Sequence, residues 1–217
     1  MSDGLFITLE GVEGAGKTTQ AKQLAEWLSG LGLPVLATRE PGAGLIGAQI
    51  RQVLLNPANT ELAPMTEALL LAADRAQHVA ETLRPALAAG KIIVCDRYAD
   101  SFFAYQGYGR GLNMAELISL NEAAAGGLIP DITLLLELPP DEGLKRAAKR
   151  GASDRMEQEQ LDFHRRLSDG YQKLAEAFPQ RIRQINAAQE ETLVQADMRK
   201  VLLPLLYERG LVRDVVR

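Results

Sequence analysis

The segment LFITLEGVEGAGKTT, residues 5–19, joins an apolar strand to a glycine-rich turn and the start of a helix. Within it, GVEGAGKT (11–18) matches the pattern of a glycine, four further residues and Gly-Lys-Ser/Thr. Glycines at these positions let backbone N–H groups converge on phosphate oxygens, and the following helix N-terminus favours negative charge. We therefore expect a nucleotide-binding loop made of Gly11, Val12, Glu13, Gly14, Ala15, Gly16, Lys17, Thr18 and Thr19.

Two side chains carry the chemistry expected of this loop. Lys17 should reach the β- and γ-phosphates of a nucleotide, and the Thr18 hydroxyl should ligate Mg²⁺. The loop also places a carboxylate, Glu13, where anions are to bind, and it contains no arginine. The positive charge that phosphoryl transfer requires must therefore come from elsewhere in the chain.

Composition and charge narrow the class of protein. The 217 residues are 47% hydrophobic with a net charge of −4, which suits a single domain over 1–217 and provides no basic field for nucleic acid or an anionic membrane. Cys95 is the only cysteine, and its apolar setting KIIVC predicts a buried thiol in a reducing compartment. No signal peptide is evident, and no apolar run approaches the roughly 20 residues of a membrane span. We expect a cytoplasmic protein.

Apolar runs alternate with helical patterns along most of the chain. Strands are predicted at 5–9, 34–38, 91–95, 131–138 and 181–185, and helices at about 17–30, 44–55, 64–89, 113–125, 141–150, 157–177 and 190–208. The first four strands show little polar alternation, which is typical of parallel strands covered on both faces. This order predicts a three-layer α/β fold with ligands bound beyond the carboxyl ends of the strands.

Three arginines fall near that predicted edge: Arg39 after the second strand, Arg75 on the long helix and Arg97 after the third strand. One such arginine is commonly a surface or salt-bridge residue, but three beside a phosphate-binding loop indicate a site that binds phosphate oxygens or a base carbonyl. Asp96, at the end of the third strand, stands where an acid would help Thr18 to hold magnesium.

The segment GLKRAAKRGASDR, 143–155, is the candidate source of the missing charge. Arg146 and Arg150 are four residues apart and share one helical face, and Gly151 is a predicted helix stop. A basic helix face can simply be solvated. Beside a loop without arginine, however, it predicts a mobile lid at about 141–155, with Arg150 as the first choice for the catalytic cation and Arg146 as the second.

Together these segments resemble the thymidylate kinase family. The resemblance rests on LEGVEGAGKTT, TREPG, AADRAQ, DRYADSFFAYQG, GRG and GLKRAAKRGASDR, which occur in the family's order from about residue 5 to residue 165. It implies a P-loop kinase fold with a five-stranded parallel sheet of order 2-3-1-4-5, a homodimer, and transfer of the γ-phosphoryl group of ATP to dTMP with Mg²⁺. It also implies that this is the type whose catalytic arginine lies in the lid.

The resemblance further assigns roles. Arg39 and Arg97 would grip the acceptor's phosphate, Arg75 would hydrogen-bond the thymine carbonyl, and Ser101 would contact the base. Tyr105 would crowd the 2′ position of the sugar, while Glu13 would contact its 3′-hydroxyl and the metal region. The catalytic set is then Lys17, Arg97, Arg150 and Arg146, and the dTMP-binding set is Glu13, Arg39, Pro41, Leu71, Arg75, Arg97, Ser101, Tyr105 and Gln106.

Two positions depart from the family pattern. Leu71 stands where the family usually has a phenylalanine that stacks on thymine, and residue 44 is glycine where a threonine is usual. Three alternatives remain at this stage: a kinase of another nucleoside monophosphate, a nucleotide switch or ATPase acting on a protein, and a carboxylate-activating synthetase. A switch should show an NKxD-type base-reading segment, and the sequence contains none.

Overall fold

The computed structural model describes residues 4–149 and 154–212. The described chain contains one five-stranded sheet made of β1 (Leu5–Glu10), β2 (Val35–Arg39), β3 (Ile92–Asp96), β4 (Ile132–Glu137) and β5 (Ile182–Asn186). All neighbouring strands pair in parallel, in the order β2-β3-β1-β4-β5. The predicted sheet and its strand order are confirmed.

The helices surround this sheet. Their bounds are α1 Lys17–Gly30, α2 Gly44–Leu55, α3 Pro64–His78, α4 Arg84–Ala88, α5 Ala99–Phe102, α6 Met114–Ala125, α7 Pro140–Ala148, α8 Leu161–Ala177 and α9 Glu191–Glu208. A π-helical segment, Val79–Leu83, joins α3 to α4, so the predicted helix 64–89 is one nearly continuous rod. The helix predicted to begin at 157 begins at Leu161 instead. The residues before it form a turn, in which Asp154 Oδ1 accepts hydrogen bonds from the backbone N–H groups of Met156 and Glu157.

One helical region was not predicted. α5 continues into a second π-helical segment, Phe103–Gly109, where the sequence shows aromatic residues and glycines without a clear helical period. Tertiary packing stabilises it: Gly109 lies against the Phe163 ring of α8, and Phe102 packs with Leu117 of α6. This region carries Ser101, Tyr105 and Gln106, so contacts from α6 and α8 position three residues predicted to bind the acceptor.

The core forms on both faces of the sheet because strand side chains alternate in direction. Leu5, Ile7 and Leu9 of β1 pack with α1, α8 and α9, whereas Phe6 packs on the opposite face with Ile93 and the rod of α3 and α4. These side chains are almost fully buried, and each such burial stabilises the fold by about 1.5–3 kcal/mol. The arrangement is the predicted three-layer α/β architecture.

Cys95 lies on β3 with no exposed surface, as its apolar setting predicts. Its thiol donates to the backbone oxygen of Arg97 at 3.0 Å. Burial, followed by the nearby Glu40 carboxylate, raises the pKa of this thiol well above its usual value. None of the helices in the described ranges combines the length and apolar character that crossing a bilayer requires.

Candidate active site

The loop between β1 and α1 has the backbone that its glycines predict. Gly11, Gly14 and Gly16 have φ values of 141°, 71° and 87°, and Gly16 precedes the first residue of α1. These left-handed conformations are readily available only to glycine, and they allow the chain to turn sharply into the helix N-terminus. The loop therefore has the glycine-dependent turn that the pattern GVEGAGKT predicts.

Lys17 is held inside this loop. Its Nζ donates to the backbone oxygen of Val12 at 2.7 Å, and the residue is only 7% exposed. Burial, followed by repulsion from Arg97, lowers the pKa of Lys17 to about 8. Anionic phosphate entering the loop would oppose both effects by favouring the charged amine.

Helix α7 packs directly against the loop. A Cβ added at Gly143 would lie 2.2 Å from the Glu13 backbone oxygen, and one added at Gly14 would lie 2.0 Å from the Gly143 oxygen. Real Cβ atoms do not approach backbone atoms this closely. The two glycines therefore permit the contact that seats α7, the start of the predicted lid, beside the phosphate site.

Thr18 and Asp96, the two residues predicted to hold magnesium, lie in contact at the carboxyl end of β3. Thr18 Oγ1 donates to Asp96 Oδ2 at 2.5 Å, and both residues line the cleft over the loop. Within the described ranges, no group of three or more His, Cys, Asp or Glu residues is arranged to hold a metal. Oxygen ligands from one or two side chains suit Mg²⁺ that also binds substrate phosphates.

Arg97 begins the segment after β3 in a backbone conformation uncommon for a side-chain-bearing residue, with φ 71°. Its Nη1 donates to the Gly11 backbone oxygen at 2.9 Å and to the Ser101 and Tyr171 hydroxyls at 3.1 Å each. Its Nη2 donates to Glu13 Oε1 at 2.8 Å. The left-handed residue therefore turns its guanidinium back over the phosphate loop.

Glu13 accepts from two residues of the acceptor side. Its Oε1 receives hydrogen bonds from Arg97 Nη2 and from the Tyr105 hydroxyl, the latter at 2.5 Å. Burial alone would raise the pKa of Glu13, but the Arg97 charge and then Lys17 lower it to about 2. The acid in the phosphate loop is thus an ionised partner that orients Arg97 and Tyr105.

Two cavities meet at this point. The first, which we call the acceptor cavity after the predicted acceptor residues that line it, lies between α2, α3 and α5. The second, which we call the donor cleft, lies over the loop of residues 11–18. They share five wall residues: Glu13, Glu40, Arg51, Arg97 and Asp154. Of the predicted acceptor set, all but Arg39 line the acceptor cavity, namely Glu13, Pro41, Leu71, Arg75, Arg97, Ser101, Tyr105 and Gln106.

The structure places the remaining predicted cations differently. Arg39 is exposed and lines the donor cleft rather than the acceptor cavity. Arg146 donates to the Ala187 backbone oxygen at 3.0 Å and to Glu142 at 2.5 Å, and it lines neither cavity. Arg150 lies outside the described residues.

Arg75 is buried in a network of its own. Its Nε and Nη2 pair with Glu40 at 2.9 and 2.8 Å, and Nη1 donates to Asn121 at 2.8 Å. Although burial opposes it, the Glu40 charge raises the pKa of Arg75. Glu40 also contacts His78 Nδ1 at 2.9 Å, so this histidine belongs to the same buried network.

Several cavity residues were not identified from the sequence. Arg51 lines both cavities and donates to the Pro41 oxygen at 2.7 Å, while burial, then Arg39, lowers its pKa. Glu67 is buried and accepts from Gln106, Arg110 and Arg155. Both lie on helices outside any recognised motif, so the sequence gives no local signal for them. Glu40, by contrast, adjoins Arg39 within TREPG and could have been singled out.

Comparisons with known proteins identify the family of this chain. A family model described as thymidylate kinase matches residues 9–198. A thymidylate kinase from Syntrophotalea carbinolica is 55% identical over 188 residues, covering 84% of this chain and 87% of that protein. The one from Bacillus velezensis is 49% identical over 201 residues, covering 92% and 95%.

A solved structure gives the same assignment. The crystal structure of thymidylate kinase from Ehrlichia chaffeensis has a TM-score of 0.77 and 32% identity, covering 92% of this chain and 98% of that one. The family model spans the loop of residues 11–18 and every residue that lines the acceptor cavity. The chain therefore belongs to the thymidylate kinase family.

Proposed function

We propose that the protein transfers the γ-phosphoryl group of ATP to dTMP, giving dTDP for the synthesis of dTTP. The observation that carries this proposal is the shared wall between the donor cleft and the acceptor cavity. A phosphate bound in the donor cleft and one bound in the acceptor cavity would lie next to each other beside Arg97. A single guanidinium can hydrogen-bond to both phosphates. Membership of the thymidylate kinase family supplies the identity of the acceptor.

Catalysis then consists of positioning and charge neutralisation. Lys17 and the backbone N–H groups of residues 11–19 hold the donor phosphates, and Arg97 holds the acceptor phosphate. Glu13 keeps Arg97 and Tyr105 oriented, which is supported by the hydrogen bonds at 2.8 and 2.5 Å. The acceptor oxygens are already anionic near neutral pH, so no dedicated general base is required.

The oxygen atoms of Thr18 and Asp96 fit Mg²⁺, because they are paired and face the donor cleft. When bound with ATP, this ion neutralises charge on the β- and γ-phosphates. The two side chains would hold and orient it beside Lys17. Binding of Mg²⁺–ATP by Asp96→Asn should be weaker than by the wild type in calorimetric titration.

We further propose that residues 141–155 form a mobile lid that supplies the cation absent from the phosphate loop. Arg150 is the first choice and Arg146 the second. Support comes from the close packing of α7 against Gly14 of the phosphate loop. The proposed lid therefore begins beside the place where the donor phosphates would bind. Arg150→Ala should lower kcat by about a hundredfold or more, with the KM for dTMP little changed. Unchanged turnover would remove Arg150 from the mechanism.

The deciding experiment is a coupled assay of the purified protein with ATP and a panel of nucleoside monophosphates. We expect dTMP to have the highest kcat/KM, clearly above dUMP, dCMP and dGMP. Equal activity on these acceptors would mean a kinase of broader acceptor choice, an outcome that the leucine at position 71 makes worth testing.

We also propose a cytoplasmic homodimer. The single buried cysteine fits a reducing compartment. The helices α2, α3 and α6 are neighbours and expose the apolar side chains Leu45, Ile46, Met65, Leu69 and Ile118. Exposed apolar surface of this kind is typical of a protein interface, and a second copy is the partner that the family resemblance implies.

A further inference from the structure

Glu10, the last residue of β1, is a fully buried acid behind the phosphate loop. Its Oε1 accepts from the backbone N–H of Tyr98 at 2.7 Å. Its Oε2 accepts from the Ser101 hydroxyl and, at 3.3 Å, from the Tyr171 hydroxyl. A carboxylate removed from water is costly unless it is compensated in this way. Neither the proposed donor chemistry nor the acceptor chemistry uses it.

All three donors to Glu10 lead to Arg97. Tyr98 directly follows Arg97, so its N–H bond fixes the backbone just after the left-handed φ of 71°. The Ser101 and Tyr171 hydroxyls each accept a hydrogen bond from Arg97 Nη1 at 3.1 Å. The same carboxylate therefore holds both the main chain and the side chain of the arginine at the meeting point of the two cavities.

Other charges around Glu10 modulate this contact. Asp100, from α5, opposes the ionisation of Glu10, whereas Arg97 favours it. The charge of Glu10 also favours the charged forms of Lys17 in the phosphate loop and of Arg181 just before β5. The carboxylate is thus placed among cations from three parts of the fold, with its hydrogen bonds directed to the Arg97 side.

We propose that Glu10 is a positioning residue for phosphoryl transfer, which fixes Arg97 in the orientation that receives the acceptor's phosphate. The inference rests on the proposed function. Glu10 lines neither cavity, so it does not touch substrate and acts only through Arg97. An arginine that is already oriented binds an anion without the loss of rotamer freedom that a flexible side chain would suffer.

The test is Glu10→Gln, which keeps the size of the side chain and removes its charge. In assays at about pH 8, above the raised pKa of Glu10, we expect kcat/KM for dTMP to fall by about tenfold or more, because hydrogen bonds to a charged group are lost. The KM for ATP should not rise, and the unfolding midpoint should not fall. Glu26→Gln is the matched control, since Glu26 is exposed on α1 in a long 3.9 Å ion pair with Lys22. This control should leave kcat/KM for dTMP and the KM for ATP unchanged.

A second variant keeps the test decisive if Glu10→Gln does not fold. Tyr171→Phe removes one hydroxyl between Glu10 and Arg97, and it should lower kcat/KM for dTMP in the same direction. The double variant should lose less than the two single losses combined, because both act on one network.

Three results would overturn the inference. They are wild-type dTMP kinetics in Glu10→Gln, equal losses for ATP and dTMP together with a lower unfolding midpoint, or wild-type kinetics in Tyr171→Phe. A wild-type protein that fails to phosphorylate dTMP overturns the proposed function, and this inference falls with it. An active wild type with unaffected variants overturns the inference alone.

Discussion

At position 71 a leucine side chain lines the acceptor cavity, packed beside Phe102 and Leu117. An aliphatic side chain offers apolar area to a base but no π face. Leu71→Phe should lower the KM for dTMP by about threefold, because aromatic pairs contribute about 0.5–1.5 kcal/mol beyond area burial. Steady-state kinetics measures this.

The matched control is Leu193→Phe, the same change at an exposed position of α9 away from both cavities. It should leave the KM for dTMP unaltered. If Leu71→Phe also has no effect, then a group other than residue 71 covers the base.

Glu10 also predicts how stability varies with pH. Burial and then Asp100 raise its pKa from 4.5 to about 7. Between these values the native state binds more protons than the unfolded state, so the free energy of unfolding falls as pH rises from about 4.5 through 7. The shift corresponds to about 3 kcal/mol.

Urea unfolding of Glu10→Gln across this pH range measures that component. We expect the free energy of unfolding of the variant to fall much less with rising pH than that of the wild type. A smaller pH-dependent fall should remain because burial raises the pKa of Asp74 to about 6. A pH–stability curve that parallels the wild type would contradict the assignment to Glu10.

Among the elements, α7 packs directly against the phosphate loop. Gly143→Ala would place a Cβ 2.2 Å from the Glu13 oxygen, so the helix or the loop must move. We expect kcat to fall by about tenfold or more, since small misplacements of reacting groups are costly. Lys145→Ala, an exposed change on the same helix, should retain wild-type kcat. Equal kcat in both variants would show that the loop tolerates the shift.

The sequence predicted the elements whose signals are local. Parallel strands buried on both faces appear as apolar runs, and GVEGAGKT carries its own backbone requirements, so the sheet and the phosphate loop were recognised. The helical region 99–109 was missed because α6 and α8, far along the chain, stabilise it. Arg51, Glu67 and Tyr171 were missed because tertiary packing alone brings single polar residues of helices to the site.

For the whole molecule, the proposed dimer makes a separate prediction. Leu69 is 52% exposed on α3, the helix that contacts both α2 and α6. Leu69→Asp would bury a charge in that interface, so we expect a monomer where the wild type is a dimer. Light scattering after size-exclusion chromatography measures this. Leu193→Asp, on α9, should leave the wild-type mass unchanged, and a monomeric wild type would refute the dimer.

The burial of Cys95 makes this chain suitable for site-specific labelling. It is the only thiol in the sequence, it has no exposed surface, and its raised pKa keeps the reactive thiolate scarce. A cysteine introduced at an exposed position, such as Lys145→Cys on α7, would therefore react with a maleimide dye almost alone. Fluorescence from that single dye could follow α7 during turnover in solution, with no need to remove a native cysteine first.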